Sequence, residues 1–122
     1  MNQGKRGEDL ACEHYQKLGY KIVERNFIPR KGRQMGELDI VCLKGNELVF
    51  VEVKLRTSQK YGVAVEAVDR NKQLKLIKTA KLYLLLHDEY KNHDFRIDVA
   101  AIDIDKGPES VIILENVIED SD

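Results

Sequence analysis

The sequence predicts one α/β (α+β) domain, a mixed sheet flanked by helices with the element order α-β-β-β-α-β-β. Two long segments have the apolar spacing of helices, and five short segments alternate or run apolar as strands do. The chain has 122 residues, is 43% hydrophobic and contains no repeat or Pro/Gly-rich linker, which suits a single core. We assign residues 1–114 to this domain and residues 115–122 to an acidic C-terminal tail.

The first part of the chain is predicted to form a helix, a strand and a loop. Residues 4–18 carry an apolar stripe at helical spacing, and Gly19 follows as a helix-ending residue. Residues 20–27 are typical of a strand. The next segment, 28–35, combines Pro and Gly with basic side chains and is predicted to be a loop; the basic residues are Arg30, Lys31 and Arg33.

The centre of the chain is predicted to be a β-hairpin. Residues 36–43 and 48–55 are rich in β-branched and aromatic side chains. Between them, Gly45 and Asn46 are suited to the positive φ angles that a two-residue turn needs. Both faces of this hairpin are apolar near the turn, and one face becomes charged at the open end. This pattern predicts a buried scaffold with a site at its edge.

A second helix and two strands complete the predicted sheet. Asp69 is a suitable N-cap for a helix over residues 70–86. We expect its apolar side to carry Leu74, Ile77, Leu84 and Leu85, and its other side to carry Gln73 and a row of lysines, Lys72, Lys75, Lys78 and Lys81. Residues 95–101 and 110–114 are typical of strands.

Charge is distributed unevenly along the chain. Residues 1–85 carry 17 basic and 10 acidic side chains, whereas residues 86–122 carry 3 and 11. A nucleic-acid-binding face could therefore lie on the first part of the chain. No apolar run is long enough to span a membrane, and Cys12 and Cys42 lack metal-binding or redox spacing. We expect a cytoplasmic protein without a membrane partner, with two reduced, buried thiols.

Four charged residues should meet at the open end of the hairpin. With the turn at residues 45–46, Asp39 faces Glu52, and Glu37 faces Lys54. Directly opposed carboxylates repel each other at about 4.5–5.5 Å between Cβ atoms, so this pair calls for a cation, a shared proton or a nearby Lys. Mg²⁺ binds through one or two carboxylates together with waters and substrate phosphate.

Other ligands can be suggested for a cation at this place. The carbonyl of Val53 is next to Glu52, and Glu8 on the first helix could approach from the side. Lys54 would project to the same face as Glu52, where its ammonium could orient or deprotonate a water, or stabilise charge on a phosphate. We interpret Glu37 as a supporting residue. The arrangement is that of a metal-dependent phosphodiesterase site.

These residues also carry a resemblance. Asp39 followed, after twelve residues, by Glu52-Val53-Lys54 is similar to the signature of the restriction-endonuclease-like PD-(D/E)xK nuclease superfamily. More closely, the chain resembles the YraN-like family of small bacterial proteins over about residues 4–104, through residues 4–8, 36–39, 50–56 and 96–99. The Pro that often precedes the first Asp of the superfamily is Leu38 here. The arrangement of acids and Lys is also similar to that of archaeal Holliday-junction resolvases.

The resemblance implies a restriction-endonuclease-like core and Mg²⁺- or Mn²⁺-dependent hydrolysis of phosphodiester bonds. DNA, including branched or structured DNA, is the implied substrate ahead of RNA, and the two-fold character of a junction would favour a homodimer. The implied catalytic set is Glu8, Asp39, Glu52 and Lys54, and the expected ligands of the metal are Asp39, Glu52, Val53 and Glu8. The nucleic-acid backbone would be held by Arg30, Lys31, Arg33, Arg56, Lys72 and Gln73.

Other interpretations remain open at this point. The chain could be a non-catalytic module that keeps the nuclease fold and binds nucleic acid or a protein partner, because a fold does not fix an activity. It could also bind a metal for structural reasons alone. For single residues, Glu8 could simply complement a helix dipole, Lys54 could pair with Glu37, and the lysine row could be a solvated helix face.

Overall fold

The computed structural model of the protein describes residues 3–29, 36–55, 69–103, 106, 110–116 and 118. They form a five-stranded sheet with the strand order β1-β2-β3-β4-β5, two α-helices and a short 3-10 helix. The elements are α1 (Gln3–Lys17), β1 (Lys21–Phe27), β2 (Leu38–Lys44), β3 (Glu47–Leu55), α2 (Arg70–Leu86), the 3-10 helix (Asp88–Tyr90), β4 (Asp94–Ile102) and β5 (Val111–Leu114). This confirms the predicted element order.

The sheet is mixed, as predicted. β1, β2 and β3 form an antiparallel meander, β4 is parallel to β3, and β5 is antiparallel to β4. The parallel pair requires a crossover connection, and α2 lies in it. Neither of the α-helices described has the length and apolar stretch needed to cross a bilayer.

The β2–β3 hairpin has the predicted register. Val41 pairs with Phe50, Cys42 with Val49, and Lys44 with Glu47 across the turn. The turn itself differs in one respect from the prediction. Gly45 has a φ of 59°, but Asn46 is not among the described residues with positive φ. One positive φ at the first central position is the pattern of a type II′ turn, which also matches the twist of the strands.

Each face of the sheet is covered by one α-helix. Buried residues of α1 pack with Ile40, Cys42 and Val51 on one face. Buried residues of α2 pack with Val41 and Phe50 on the other. Alternate residues of β2 and β3 therefore contact different helices, as a strand buried on both faces requires. Strand alternation would place Leu38 on the face of Ile40, but it joins the α2 cluster instead.

α2 begins as predicted, and the face it buries matches the prediction in part: Ile77 is buried and Leu84 packs against the core. The Asp69 side chain accepts a hydrogen bond from the backbone N–H of Lys72 at 2.8 Å and caps the helix. Leu74 and Leu85, expected on the apolar side, are 40% and 81% exposed. The buried residues are Leu76, Ile77, Thr79, Ala80 and Tyr83. Leucines occur all round this helix, so the spacing of apolar residues alone did not define the face that packs on the sheet.

The described part of the predicted acidic tail touches the domain. The backbone N–H of Asn116 donates to Asp98 at 2.9 Å, and Ile118 is 3% exposed within the core. Glu115 remains largely exposed. Asn116 and Ile118 therefore contact the domain, and the division at residue 114 stays a prediction.

Candidate functional site

Asp39 is fixed at the open end of the hairpin by the neighbouring strand. The last ladder pair of β2 and β3 is Ile40 with Val51, so Asp39 stands at the position that faces Glu52 in this register. Its Oδ2 accepts a hydrogen bond from the backbone N–H of Val53 at 2.8 Å. The side chain thus takes a donor of β3 that a backbone carbonyl would otherwise occupy, and this orients the carboxyl group.

The two carboxyl groups of Asp39 and Glu52 interact directly. Burial, a hydrogen bond to Glu52 and the charge of that carboxylate raise the pKa of Asp39 to about 8, although the Val53 N–H acts in the opposite direction. Two acids held together in a buried place ionise fully only when a positive charge compensates them. At neutral pH and without a bound metal ion, the raised pKa therefore favours the protonated form of Asp39, hydrogen-bonded to Glu52.

A lysine from α2 partly compensates this pair. Lys72 Nζ lies 3.0 Å from Glu52 Oε2, and the Glu52 side chain is 5% exposed whereas that of Lys72 is 45% exposed. Burial lowers the pKa of Lys72, but its contact with Glu52 and the charges of Asp39 and Glu37 outweigh this and raise it. The contact is an ion pair without hydrogen-bond geometry, so Glu52 Oε2 is a buried oxygen that lacks a hydrogen-bond partner.

Glu37 is held near the pair because the preceding glycine docks on α2. The Gly36 N–H donates to the Lys75 carbonyl at 3.5 Å, and the Thr79 hydroxyl lies 2.8 Å from the Gly36 carbonyl. Burial and the carboxylates of Glu8 and Glu52 raise the pKa of Glu37. The predicted ion pair of Glu37 with Lys54 is not among the ion pairs of the described residues. The positive charge that favours the Glu37 carboxylate comes from Lys72.

Glu8 approaches this end of the sheet from α1. Gly7 lies so close to β3 that an added Cβ would be 2.7 Å from a methyl carbon of Leu55. Arg25 of β1 then holds the Glu8 carboxylate at 3.4 Å and that of Asp9 at 2.8 Å. Glu8 therefore lies near Glu37 with its charge partly balanced by a guanidinium. An open groove of ≈ 390 Å³ adjoins it, lined by Gly4, Lys5, Glu8, Arg25 and Asn26.

The remaining predicted site residues divide into two groups. Lys54 lies on β3 one side-chain repeat beyond Glu52, so both project to the α2 face. Gln73 is in the first turn of α2, where Arg70 donates to its side-chain oxygen at 3.3 Å. The predicted backbone contacts Arg30, Lys31, Arg33 and Arg56 lie outside the described residues.

The donor set fits a hard divalent cation that keeps open positions. A buried oxygen of Glu52 lacks a hydrogen-bond partner, and the ammonium of Lys72 stands against it as a cation. Because N–H and C=O of one strand residue point to the same side, the Val53 carbonyl is also directed towards β2. Among the described residues, no group of three or more His, Cys, Asp or Glu side chains is placed to hold a metal ion. Mg²⁺ does not need one, since it retains waters and takes phosphate oxygens.

A second buried polar group lies on β4, and we assigned it no role from the sequence. Asp98 is fully buried and accepts from the Tyr15 hydroxyl at 2.7 Å, from Arg96 Nε at 2.9 Å and from the N–H of Asn116. Arg96 also donates to Glu47 at 2.6 Å. This network ties α1, the start of β3 and the segment after β5 to β4. An acid between the apolar Ile97 and Val99 was the signal for it in the sequence.

The ion pairs that two basic residues form with the carboxylates were not predicted from the sequence. Arg25 was not singled out, and Lys72 was expected to contact nucleic acid rather than Glu52. No local pattern could reveal either pairing, because each joins elements far apart in the chain. Both depend on how α1 and α2 dock on the sheet.

Comparisons with known proteins identify the family. The model of "Uncharacterised protein family UPF0102" matches residues 7–102. The chain belongs to the UPF0102 family. It is 43% identical to the UPF0102 protein of Stutzerimonas stutzeri, over 84% of this chain and 82% of the relative. It is 39% identical to that of Caldanaerobacter subterraneus, over 90% and 84% of the two chains.

A third UPF0102 relative, from Persephonella marina, is 42% identical over 82% of each chain. The segment matched by the UPF0102 model begins one residue before Glu8 and ends with β4. It therefore contains Asp39, Glu52, Lys54 and Lys72 together with the sheet strands that position them.

Proposed function

We propose that this protein is a metal-dependent, endonuclease-like protein that hydrolyses phosphodiester bonds in nucleic acid. One observation carries the proposal: the partly buried Asp39 and the buried Glu52 lie in contact, with the Lys72 ammonium against Glu52, at a place that favours a compensating positive charge. Two such carboxylates, with a lysine on the same strand, are the groups that cation-assisted phosphoryl chemistry uses. The resemblance to restriction-endonuclease-like nucleases supports the same conclusion.

Asp39 and Glu52 would hold Mg²⁺ or Mn²⁺, with the Val53 carbonyl as a third oxygen. When bound, the cation supplies charge that lowers the pKa of a water and stabilises negative charge on a phosphate. The hydrogen bond from Val53 keeps the Asp39 carboxylate oriented, so little reorganisation is needed. Glu8 and Glu37 add negative charge at the rim, which raises the affinity of the site for cations.

Lys54 is the residue we expect to act on the reacting groups. In hydrolysis, water oxygen bonds to phosphorus in line with the bond that breaks, and the leaving oxygen takes up a proton. The Lys54 ammonium can either orient the attacking water or stabilise charge on the phosphate. Its position on the Glu52 face of β3 gives it access to the same end of the sheet.

Nucleic acid would be held mainly through its phosphates. Lys72 and Gln73 lie on the first turn of α2 beside the carboxylates, and Lys5 and Arg25 line the groove next to Glu8. The basic residues of the 30–33 segment and Arg56 would extend this contact. Such binding depends on salt and little on sequence. Branched DNA is the substrate class we propose first, with a homodimer matching the two-fold symmetry of a junction.

A second function has a specific observation in its favour. The Lys72 ammonium neutralises part of the charge on Glu52 without any metal. A module that binds nucleic acid or a protein partner without cutting would be stable with this ion pair closed. In that case binding would be unaffected by chelation or by removal of Asp39.

The test is cleavage of a labelled panel of a four-way junction, a flap, duplex DNA, single-stranded DNA and RNA in Mg²⁺ or Mn²⁺. Glu52→Gln keeps the size of the side chain but removes a ligand charge. Glu89→Gln, at an exposed position in the 3-10 helix, is the matched control. We expect cleavage by the natural protein and by Glu89→Gln, and none by Glu52→Gln or in EDTA.

Two other results would be decisive. Binding without cleavage on every substrate, by folded protein and with the same affinity in EDTA, would overturn the catalytic proposal in favour of the binding module. Cleavage that is unchanged in Glu52→Gln would place the activity elsewhere or in a contaminant.

A further inference from the structure

We propose that Lys72 is an internal counter-cation that couples metal binding to phosphate binding: the metal displaces its ammonium from Glu52, and the freed ammonium then contacts the nucleic-acid backbone. This inference rests on the proposed function. It assigns to Lys72 a positioning role that neither the signature residues nor the comparisons supply. It concerns only the order and the coupling of binding events, and adds no step to the hydrolysis.

The geometry sets an ammonium against the oxygen that a metal would use. Lys72 Nζ is 3.0 Å from Glu52 Oε2, a buried oxygen without a hydrogen-bond partner, so a divalent cation bound to that oxygen would repel the ammonium at short range. Asp39 is held by the Val53 N–H and is hydrogen-bonded to Glu52, so the Glu52 carboxyl group is engaged by a second partner as well. Metal and ammonium therefore compete for the same carboxylate.

The Lys72 side chain can move away from Glu52 without disturbing the fold. Its backbone is fixed in the first helical turn, where its N–H donates to the Asp69 cap at 2.8 Å. Its side chain is 45% exposed, and Glu52 is its ion-pair partner among the described residues. Glu52 is buried, so the ammonium can leave at low cost only because the metal then compensates the carboxylate in its place. The long flexible side chain can then reach solvent or a phosphate.

Thermodynamic linkage gives this competition a consequence. A cation that frees Lys72 raises the affinity for phosphate, and phosphate that holds Lys72 raises the affinity for the cation by the same factor. The protein alone keeps its carboxylates compensated and its lysine occupied. When metal and nucleic acid bind together, the metal compensates the carboxylates and the Lys72 ammonium contacts a phosphate.

The test compares Lys72→Gln with Lys78→Gln. Lys78 is exposed on the same helix, so its variant removes an equal charge without touching Glu52. Titration calorimetry with Mn²⁺ and no nucleic acid measures the competition directly. We expect Lys72→Gln to bind Mn²⁺ about tenfold more tightly than Lys78→Gln, which corresponds to about 1.4 kcal/mol. Circular dichroism melts confirm that each variant is folded.

A second readout measures the coupling. The affinity for a DNA duplex or four-way junction is measured in EDTA and in Ca²⁺. Ca²⁺ prefers oxygen ligands and serves as the probe cation for binding. The gain in affinity on adding Ca²⁺ should be smaller in Lys72→Gln than in Lys78→Gln. A gain that is equal in the two variants would overturn the coupling.

The calorimetric outcomes separate this inference from the function on which it rests. Equal Mn²⁺ affinity in both variants, abolished by Asp39→Asn, would leave the metal site intact and overturn the role of Lys72. Weaker Mn²⁺ binding in Lys72→Gln would also overturn it, because Lys72 would then help to hold the site together. Absence of Mn²⁺ binding in Lys72→Gln, in Lys78→Gln and in Asp39→Asn would overturn the metal site and this inference together.

Discussion

The paired carboxylates predict an unusual dependence of stability on pH. The folded protein raises the pKa of Asp39 from 3.8 to about 8, so between these values Asp39 keeps a proton in the folded state that the unfolded chain has released. Stability therefore falls as pH rises from about 4 to about 8, and the slope approaches about 1.4 kcal/mol per pH unit for a whole proton. Above that range, the slope from this group disappears.

Asp39→Asn tests this reasoning because the amide imitates the protonated acid. Its oxygen can accept from the Val53 N–H and its NH₂ group can donate to Glu52, as the shared proton does. The variant should match the natural protein near pH 4 and be more stable by several kcal/mol near pH 8 in EDTA, with Lys72 limiting the difference. Without metal, Asp39, the proposed metal ligand, thus lowers the stability of the folded protein near pH 8.

The assay is urea unfolding at pH 5, 6, 7 and 8 in EDTA for the natural protein, Asp39→Asn and Asp88→Asn, whose carboxyl group is exposed. The difference between two proteins cancels the titration of groups that do not interact with Asp39. A difference that does not change with pH, or that favours the natural protein as pH rises, would refute the shared-proton account.

Three further predictions concern the scaffold and are tested by urea unfolding at pH 7. Asp98→Asn removes the charge that faces Arg96 in the buried network, so we expect a loss of about 3–5 kcal/mol; a loss below about 1 kcal/mol would contradict the network's role. Gly45→Ala forces a side chain into a φ of 59°, with no steric neighbour to complicate the result, and should cost about 1–2 kcal/mol; no loss would mean that the turn rearranges freely. Asp69→Ala removes the cap on the Lys72 N–H and should lower stability by about 1 kcal/mol. It should also weaken the competition between Lys72 and Mn²⁺ at Glu52. Unchanged stability would show that the cap contributes nothing.

The sheet could be predicted from the sequence because its signals are local. Gly45 and Asn46 fixed the turn, and the alternation around Val41 and Phe50 then determined the register of the hairpin. The same reasoning placed Asp39 opposite Glu52, and the cap at Asp69 marked the start of α2. These features depend on neighbours in the chain or on one short connection.

The site could be predicted only in part because its charge balance is set by docking. Lys72 reaches Glu52 across the α2–sheet interface, and Arg25 reaches Glu8 across the α1–sheet interface. Leu74 and Leu85 show why this was out of reach: an error in the buried face of α2 changes which lysine meets the sheet. The buried network of Asp98 could not be predicted from the sequence, because its partners Tyr15 and Asn116 lie far from it in the chain.

The measurement that tests the central claim most directly is a crystal structure with Mn²⁺, located by its anomalous scattering. The account predicts a peak bonded to the carboxylates of Asp39 and Glu52 at about 2.0–2.3 Å, with Lys72 Nζ moved away from Glu52 Oε2. A peak elsewhere, or no peak at saturating Mn²⁺ with the Lys72–Glu52 ion pair still closed, would contradict it.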